Sequence, residues 1–143
     1  MDTTAGRART AMSPAQTFAL AFGILYLAVG ALGFAVTGLD GFFARSFGEK
    51  LIVFPLNPAH NVVHLLIGAA WIGSFRKHAA ARTANLAIGA AYLLVFLLGL
   101  VGALKWLAIP AGFDADQILH VLTGALAMYF GTAGAGARRG ITA

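Results

Sequence analysis

Three histidines, an asparagine and an aspartate fall inside otherwise apolar stretches, and they are the residues with the means to do chemistry: His60, Asn61 and His64 in one stretch, Asp116 and His120 in another. His60 and His64 stand four apart, as do Asp116 and His120. On helices, each pair shares a face with its members one turn apart. Counting from the helix caps expected at Asn57 and Asp114, both His64 and His120 lie about 10 Å in, at about 1.5 Å per residue. The spacing therefore predicts two imidazoles at one depth, each with a polar neighbour one turn above it. Four of the five acids (Asp40, Glu49, Asp114 and Asp116) fall toward the same end.

Such a set supports several chemistries. In the plainest, the imidazoles hydrogen-bond Asn61, Asp116, Tyr26 or Tyr92 across helices and fix the register of a bundle, each bond worth about 1 kcal/mol in lipid. His64 and His120, each with a glycine one turn further (Gly68 and Gly124), also match the axial pair of a b-type haem. His60, His64, His120 and Asp116 together form a three-histidine, one-carboxylate set suited to a divalent metal. Passage of a proton or small ligand through a polar vestibule is the fourth reading. Catalysis has less behind it. Ser13, Ser46 and Ser74 lie in no nucleophile elbow, and no phosphate-binding glycine loop precedes a helix. The absence of cysteine removes thiolate nucleophiles, Cys-based metal sites and covalently attached haem. The expectation is a non-enzymatic protein with no cofactor favoured, haem b or a divalent metal being the alternatives. His78, among bases, is expected to be solvated.

The elements that position these residues follow from composition. Of 143 residues 59% are hydrophobic and 10% charged, against about 45–50% and 25% in soluble domains. With a mean hydropathy of +0.82, the chain reads as one integral membrane domain over 1–143. Crossing about 30 Å of hydrocarbon takes roughly 20 apolar residues. The uncharged windows give four spans, about 14–36, 58–75, 83–104 and 115–133. The fold class is an all-α four-helix bundle, since nothing alternates as strands do. Ser13-Pro14 and Asn57-Pro58 read as N-caps followed by a proline at the first helical position. Asp114 with Gln117 has capping-box spacing. The first span exceeds a signal-peptide core of about 7–15 residues and is expected to be retained.

The net charge of +5 comes from short clusters that flank apolar runs, which is a topology signal and not a nucleic-acid surface. Arg7, Arg9, Arg76, Lys77, Arg82, Arg138 and Arg139 fall on one side, and Arg45, Lys50 and Lys105 on the other. Both termini are therefore expected in the cytoplasm of a cell whose inner or plasma membrane holds the chain. Phe42, Phe43, Phe47 and Phe54, among charges in the long loop 37–57, suit an interfacial segment.

The halves resemble each other. Gly23-Ile-Leu-Tyr26-Leu27 matches Gly89-Ala-Ala-Tyr92-Leu93, and His64-Leu-Leu-Ile-Gly68 matches His120-Val-Leu-Thr-Gly124. Both copies start on the same side, which predicts a parallel helical-hairpin repeat about an axis along the membrane normal. Gly23, Gly30, Gly33, Gly68, Gly89 and Gly124 are expected to let helices approach closely. A lipid-facing glycine surface predicts an accessory, scaffold or self-associating protein. Its partners are the bilayer and a second copy or a larger membrane complex.

The run Phe54-Pro-Leu-Asn57-Pro58-Ala-His60-Asn61-Val-Val-His64-Leu-Leu-Ile-Gly68, then Asp116-Gln-Ile-Leu-His120 and Gly124, resembles a family of small bacterial four-helix membrane proteins common in high-GC Gram-positive bacteria. The first helix, from Gly23 to Phe34, is similar as well. That family is known only as a domain of unknown function. The resemblance implies a fold and a location and carries no activity to any residue.

Overall fold

The computed structural model describes residues 11–45 and 47–136, so Arg7, Arg9, Ser46, Arg138 and Arg139 lie outside the described residues. Four helices carry the chain: α1 (Pro14–Thr37), α2 (Pro58–Ser74), α3 (His78–Leu100) and α4 (Ala115–Gly131). The cap residues set three of the four starts. Ser13 accepts the Gln16 N–H at 3.4 Å while its own N–H donates to Gln16 Oε1 at 3.1 Å, a complete capping box. Asn57 accepts the His60 N–H at 2.9 Å, with Pro58 at the first position. Asp114 accepts the Gln117 N–H at 3.1 Å, but the reciprocal half expected of Gln117 is not made. Its carboxamide turns inward, fully buried beneath Gly99.

The third helix departs from the expected 83–104. It starts at His78, because Arg82 is not a boundary: its Nε donates to the Gly131 carbonyl at 3.1 Å, at the end of α4 where the helix dipole favours a base. It stops at Leu100, because Gly102 takes φ +72 and the chain turns into a short 3-10 segment, Lys105–Leu107. Loop 37–57 forms a small ladder, β1 (Lys50–Leu51) paired antiparallel with β2 (Phe54–Pro55). Ile52, at the tip, is 85% exposed and has φ 62, an unusual conformation for a β-branched residue. Asn57 Nδ2 donates to the Ala44 carbonyl at 3.0 Å and the Trp106 carbonyl at 2.8 Å, tying both loops at this end to the start of α2.

The helices pair as α1–α2 and α3–α4, and the two hairpins pack against each other mainly through α1 with α3 and α2 with α3. Inside the hairpins the packing repeats residue for residue. A Cβ on Gly68 would lie 2.8 Å from the Leu27 backbone; one on Gly124 would lie 2.9 Å from the Leu93 side chain. Gly23 is closed by Ile72 and Gly89 by Met128. A Cβ on Gly33 would overlap the Asn61 carboxamide, and one on Gly99 the Gln117 carboxamide. Gly30 meets Leu65. All six glycines singled out in the sequence are thus used within a hairpin. Among the described residues none of these six is left to the lipid-facing surface expected for self-association.

The burial pattern is inverted relative to a water-soluble bundle. Asn61, Asn85, Gln117, His60, His120 and Asp116 are buried, while Leu25, Leu32, Leu66, Leu94, Leu97 and Leu122 are half exposed or more. Helices α1 and α3 are long and apolar enough to cross a membrane. The other two have 17 residues each, about 25 Å of helix.

Two networks close the end formed by the starts of α1 and α3. Trp71 Nε1 donates to Asn85 Oδ1 at 2.9 Å, and Asn85 Nδ2 donates to the Ala15 carbonyl at 3.2 Å. His78 is not simply solvated as expected. It is half-buried, and its Nδ1 pairs with Ser13 Oγ at 2.7 Å, joining the two helix starts.

Candidate functional site

At the opposite end, where α2 and α4 begin, five rings form a closed circuit. His60 meets His64 at a tilt, with centroids 4.5 Å apart. His64 meets the edge of Tyr26 at 5.3 Å, and Tyr26 meets Tyr92 at 5.7 Å. Tyr92 lies 5.6 Å from His120, which lies 6.4 Å from His60. All four helices contribute, so the circuit crosses the middle of the bundle. Helical spacing explains it: His60 and His64 share a face of α2, and the tyrosines hold matching positions in α1 and α3. Ring pairs at these separations and angles are favourable arrangements of aromatic quadrupoles.

Five of the seven side chains expected to converge are in this circuit, and Asp116 lies beside it. Asn61 is not: it turns to α1, where its Nδ2 donates to Thr37 Oγ1 at 2.9 Å. The expected imidazole hydrogen bonds to Asn61, Asp116, Tyr26 or Tyr92 are not made either. The contacts are ring on ring, and Tyr26 Oη donates instead to Thr123 Oγ1 at 3.3 Å. Nδ1 of His60, His64 and His120 and Oδ2 of Asp116 have no hydrogen-bond partner among the described residues, although all four residues are at least nine-tenths buried. Buried polar atoms of this kind are rare and mark places where something further binds or water enters.

The geometry bears on the expected ligands. Among the described residues no three His, Asp or Glu side chains converge closely enough to hold a metal ion. A porphyrin between His64 and His120 requires the circuit to open, since His60, Tyr26 and Tyr92 link those two rings at contact distance. What the site does possess is a cleft of about 410 Å³ between α1 and α4. Its walls are aliphatic, with Leu25 and Val29 from α1 and Leu119, Leu122 and Leu126 from α4. Leu51, Ile52 and Phe54 of the β1–β2 hairpin form its roof, and His60, His64, Asp116, His120 and Thr123 its floor.

The other contact between the hairpins, α3 with α2, builds a matching cleft on the far side of the circuit. Tyr92, Val95 and Val63 stand there where Tyr26, Val29 and Leu119 stand in the first. That cleft has shrunk to about 50 Å³ because Leu107 and Ile109 pack into it. Thr123, Gln117 and Asn85 were not legible as site or core-network residues. Asn85 left one signal, being the only strongly polar side chain in its apolar window.

No curated protein and no solved structure matches this chain. One family profile does, over residues 16–133, which takes in all of the four helices but the first two residues of α1, and both clefts. The chain is therefore a member of the family described as Domain of unknown function (DUF4383).

Proposed function

We propose that the protein is a four-span integral membrane protein, both termini cytoplasmic, that works as a non-enzymatic binding or accessory module through its ring-lined cleft. The observation that supports it most is the inverted burial pattern: carboxamides, imidazoles and a carboxyl inside, leucines outside. Polar side chains inside a membrane bundle face its interior and mark function, and an outer surface of leucine on every helix suits lipid. The 17-residue helices α2 and α4 cross the apolar layer by sharing it with the longer pair. Their caps at Asn57 and Asp114 and the loops tied to Asn57 then sit at headgroup level. The bases on the described loops follow the same scheme. Arg76, Lys77 and Arg82 lie at one end, with Arg45, Lys50 and Lys105 at the other.

Single cysteines in a chain that has none test the topology. Ala111→Cys should react with an impermeant thiol reagent from outside the cell, and Ala79→Cys only after the membrane is opened. The reverse pattern would overturn the orientation, and reaction of both from one side would overturn the four-span arrangement. A visible spectrum and metal assay of the purified protein address the ligand. The ring circuit favours a colourless, metal-free preparation, and a Soret band lost in His64→Leu or His120→Leu would replace the proposal with a haem protein.

A further inference from the structure

The geometry points to a lipid-soluble quinone or quinol as the occupant of the α1–α4 cleft, reached sideways from the bilayer. This rests on the membrane reading above and adds the ligand class and its route. Three independent observations carry it.

The first is the polarity of the cleft. Its mouth is aliphatic, and Leu25 and Leu122 at its rim are both at least half exposed on the outer surface. Its floor is formed by His60, His64, Asp116, His120 and Thr123, of which the three histidines and Asp116 each hold a buried polar atom with no partner among the described residues. A fully apolar occupant would leave those atoms unsatisfied, and a polar solute would not cross the mouth. An amphiphile with a compact polar head and an apolar tail satisfies both, and about 410 Å³ lies in the range of small-molecule pockets, about 300–1,000 Å³.

The second is the shape of the floor. Its polar side chains come from two helices, His60 and His64 from α2 and Asp116 and His120 from α4, and Tyr26 of α1 lines the cleft beside them. A quinoid ring carries oxygens on opposite edges, one for each of these helices. These accept from imidazole N–H in the quinone and donate to imidazole nitrogen or carboxyl oxygen in the quinol. A simple acyl chain offers one polar end and reaches only one side.

The third is internal. In the matching cleft between α2 and α3 the chain itself supplies the filling: Leu107 and Ile109 are almost wholly buried against Val63 and Val95. The two clefts share their framework of tyrosine, valine and histidine. In one the aliphatic filling over the rings belongs to the protein; in the other the hairpin roof leaves about 410 Å³ for a ligand to fill. The binding involves no electron transfer and no bond making.

Trp71 provides the readout, since it is buried against Tyr26 and Phe22, both of which line the cleft. With Trp106→Phe leaving Trp71 as the one tryptophan, the purified full chain in detergent is titrated with a benzoquinone bearing a ten-carbon tail. The expected result is saturable quenching at one quinone per chain. Val29→Phe with Leu122→Phe, which narrows the cleft without touching its floor, should raise the half-saturation concentration at least about tenfold, equivalent to about 1.4 kcal/mol, with an unchanged melting temperature. His120→Phe should weaken the quinone similarly and leave decylbenzene unaffected. Linear, non-saturating quenching that the narrowed variant shares would overturn the proposal. So would decylbenzene or decanoic acid binding as tightly as the quinone. Should quinone binding fail while Ala111→Cys and Ala79→Cys label as expected, only the ligand assignment falls; should the labelling fail, the membrane reading falls whatever binds.

Discussion

The two hairpins place the same residues against each other and yet leave different spaces. Gly68 seats Leu27 in one and Gly124 seats Leu93 in the other, and Gly33 and Gly99 each lie under a buried carboxamide. Tyr26 and Tyr92 meet at the centre. The divergence lies in the connections. In the first hairpin a long loop folds into the β1–β2 ladder and roofs its cleft from above. In the second, a short loop turns at Gly102 and drives Leu107 and Ile109 down onto Val63 and Val95. The two hairpins are thus alike where helices touch and different where loops cover the rings. The lesson is one of division: hairpin packing fixes the ring circuit, and loop length decides which cleft stays accessible.

The comparison breaks most visibly if the plug is cut. Ile109→Ala and Leu107→Ala each remove buried aliphatic volume and should lower stability by about 2–4 kcal/mol, the usual range for large-to-small changes in a packed core. Thermal unfolding in detergent reads this directly. Either change should also enlarge the second cleft, and the quinone titration should then move from one site toward two. Destabilisation without a second site would mean that the clefts are alike in outline only.

The next effect tests the equivalence of the hairpins. Gly33→Val and Gly99→Val each push a Cβ into a carboxamide with little room to move, and overpacking of this kind costs about 1–3 kcal/mol. Because the geometry is matched, the two losses should agree to within about 1 kcal/mol. Unequal losses would show that the Gly99–Gln117 contact relaxes in a way that Gly33–Asn61 does not.

Much of this was legible in the residues, for identifiable reasons. Periodic glycines, tyrosines and histidines gave the matching hairpins, because close helix approach permits few alternatives. The caps Ser13, Asn57 and Asp114 set the starts of α1, α2 and α4 in agreement with the sequence. The start of α3 lies before the charge that would bound an apolar window, because Arg82 reaches a helix C-terminus. The ring circuit was half visible. Spacing predicts His64 and His120 at one depth, but hydrogen bonds are expected where rings meet edge-on or tilted, since polarity says nothing about orientation. The clefts were not legible at all. They depend on where loop residues such as Leu51 and Leu107 come to rest, and no helical period governs those.

A smaller difference separates the far ends of the hairpins. Asn85 holds Trp71 and the Ala15 carbonyl together, while the matching position in α1 is Ala19, wholly buried without a polar group. Asn85→Leu leaves the indole N–H without its acceptor, and the loss should be about 1–3 kcal/mol, the cost of one unsatisfied buried group. Trp71→Phe in the same background should restore part of it, because the orphaned donor is then gone. A double-variant cycle with no coupling would remove this network from the account of that end.

The smallest effect is the most discriminating between the two carboxamides. Asn61 and Gln117 occupy matched sites under matched glycines, but Asn61 donates to Thr37 and the Gln117 side chain has no hydrogen-bond partner among the described residues. Replacing a hydrogen-bonded group forfeits about 1 kcal/mol net, whereas removing an unsatisfied buried one of similar shape is neutral or stabilising. Asn61→Leu should therefore lower the melting temperature, and Gln117→Met should leave it unchanged or raise it. Gln117→Met destabilising the chain as much as Asn61→Leu would mean that the Gln117 carboxamide bonds to something bound beside Gly99. The occupied region would then extend past the floor of the cleft, one residue beyond Asp116 along α4.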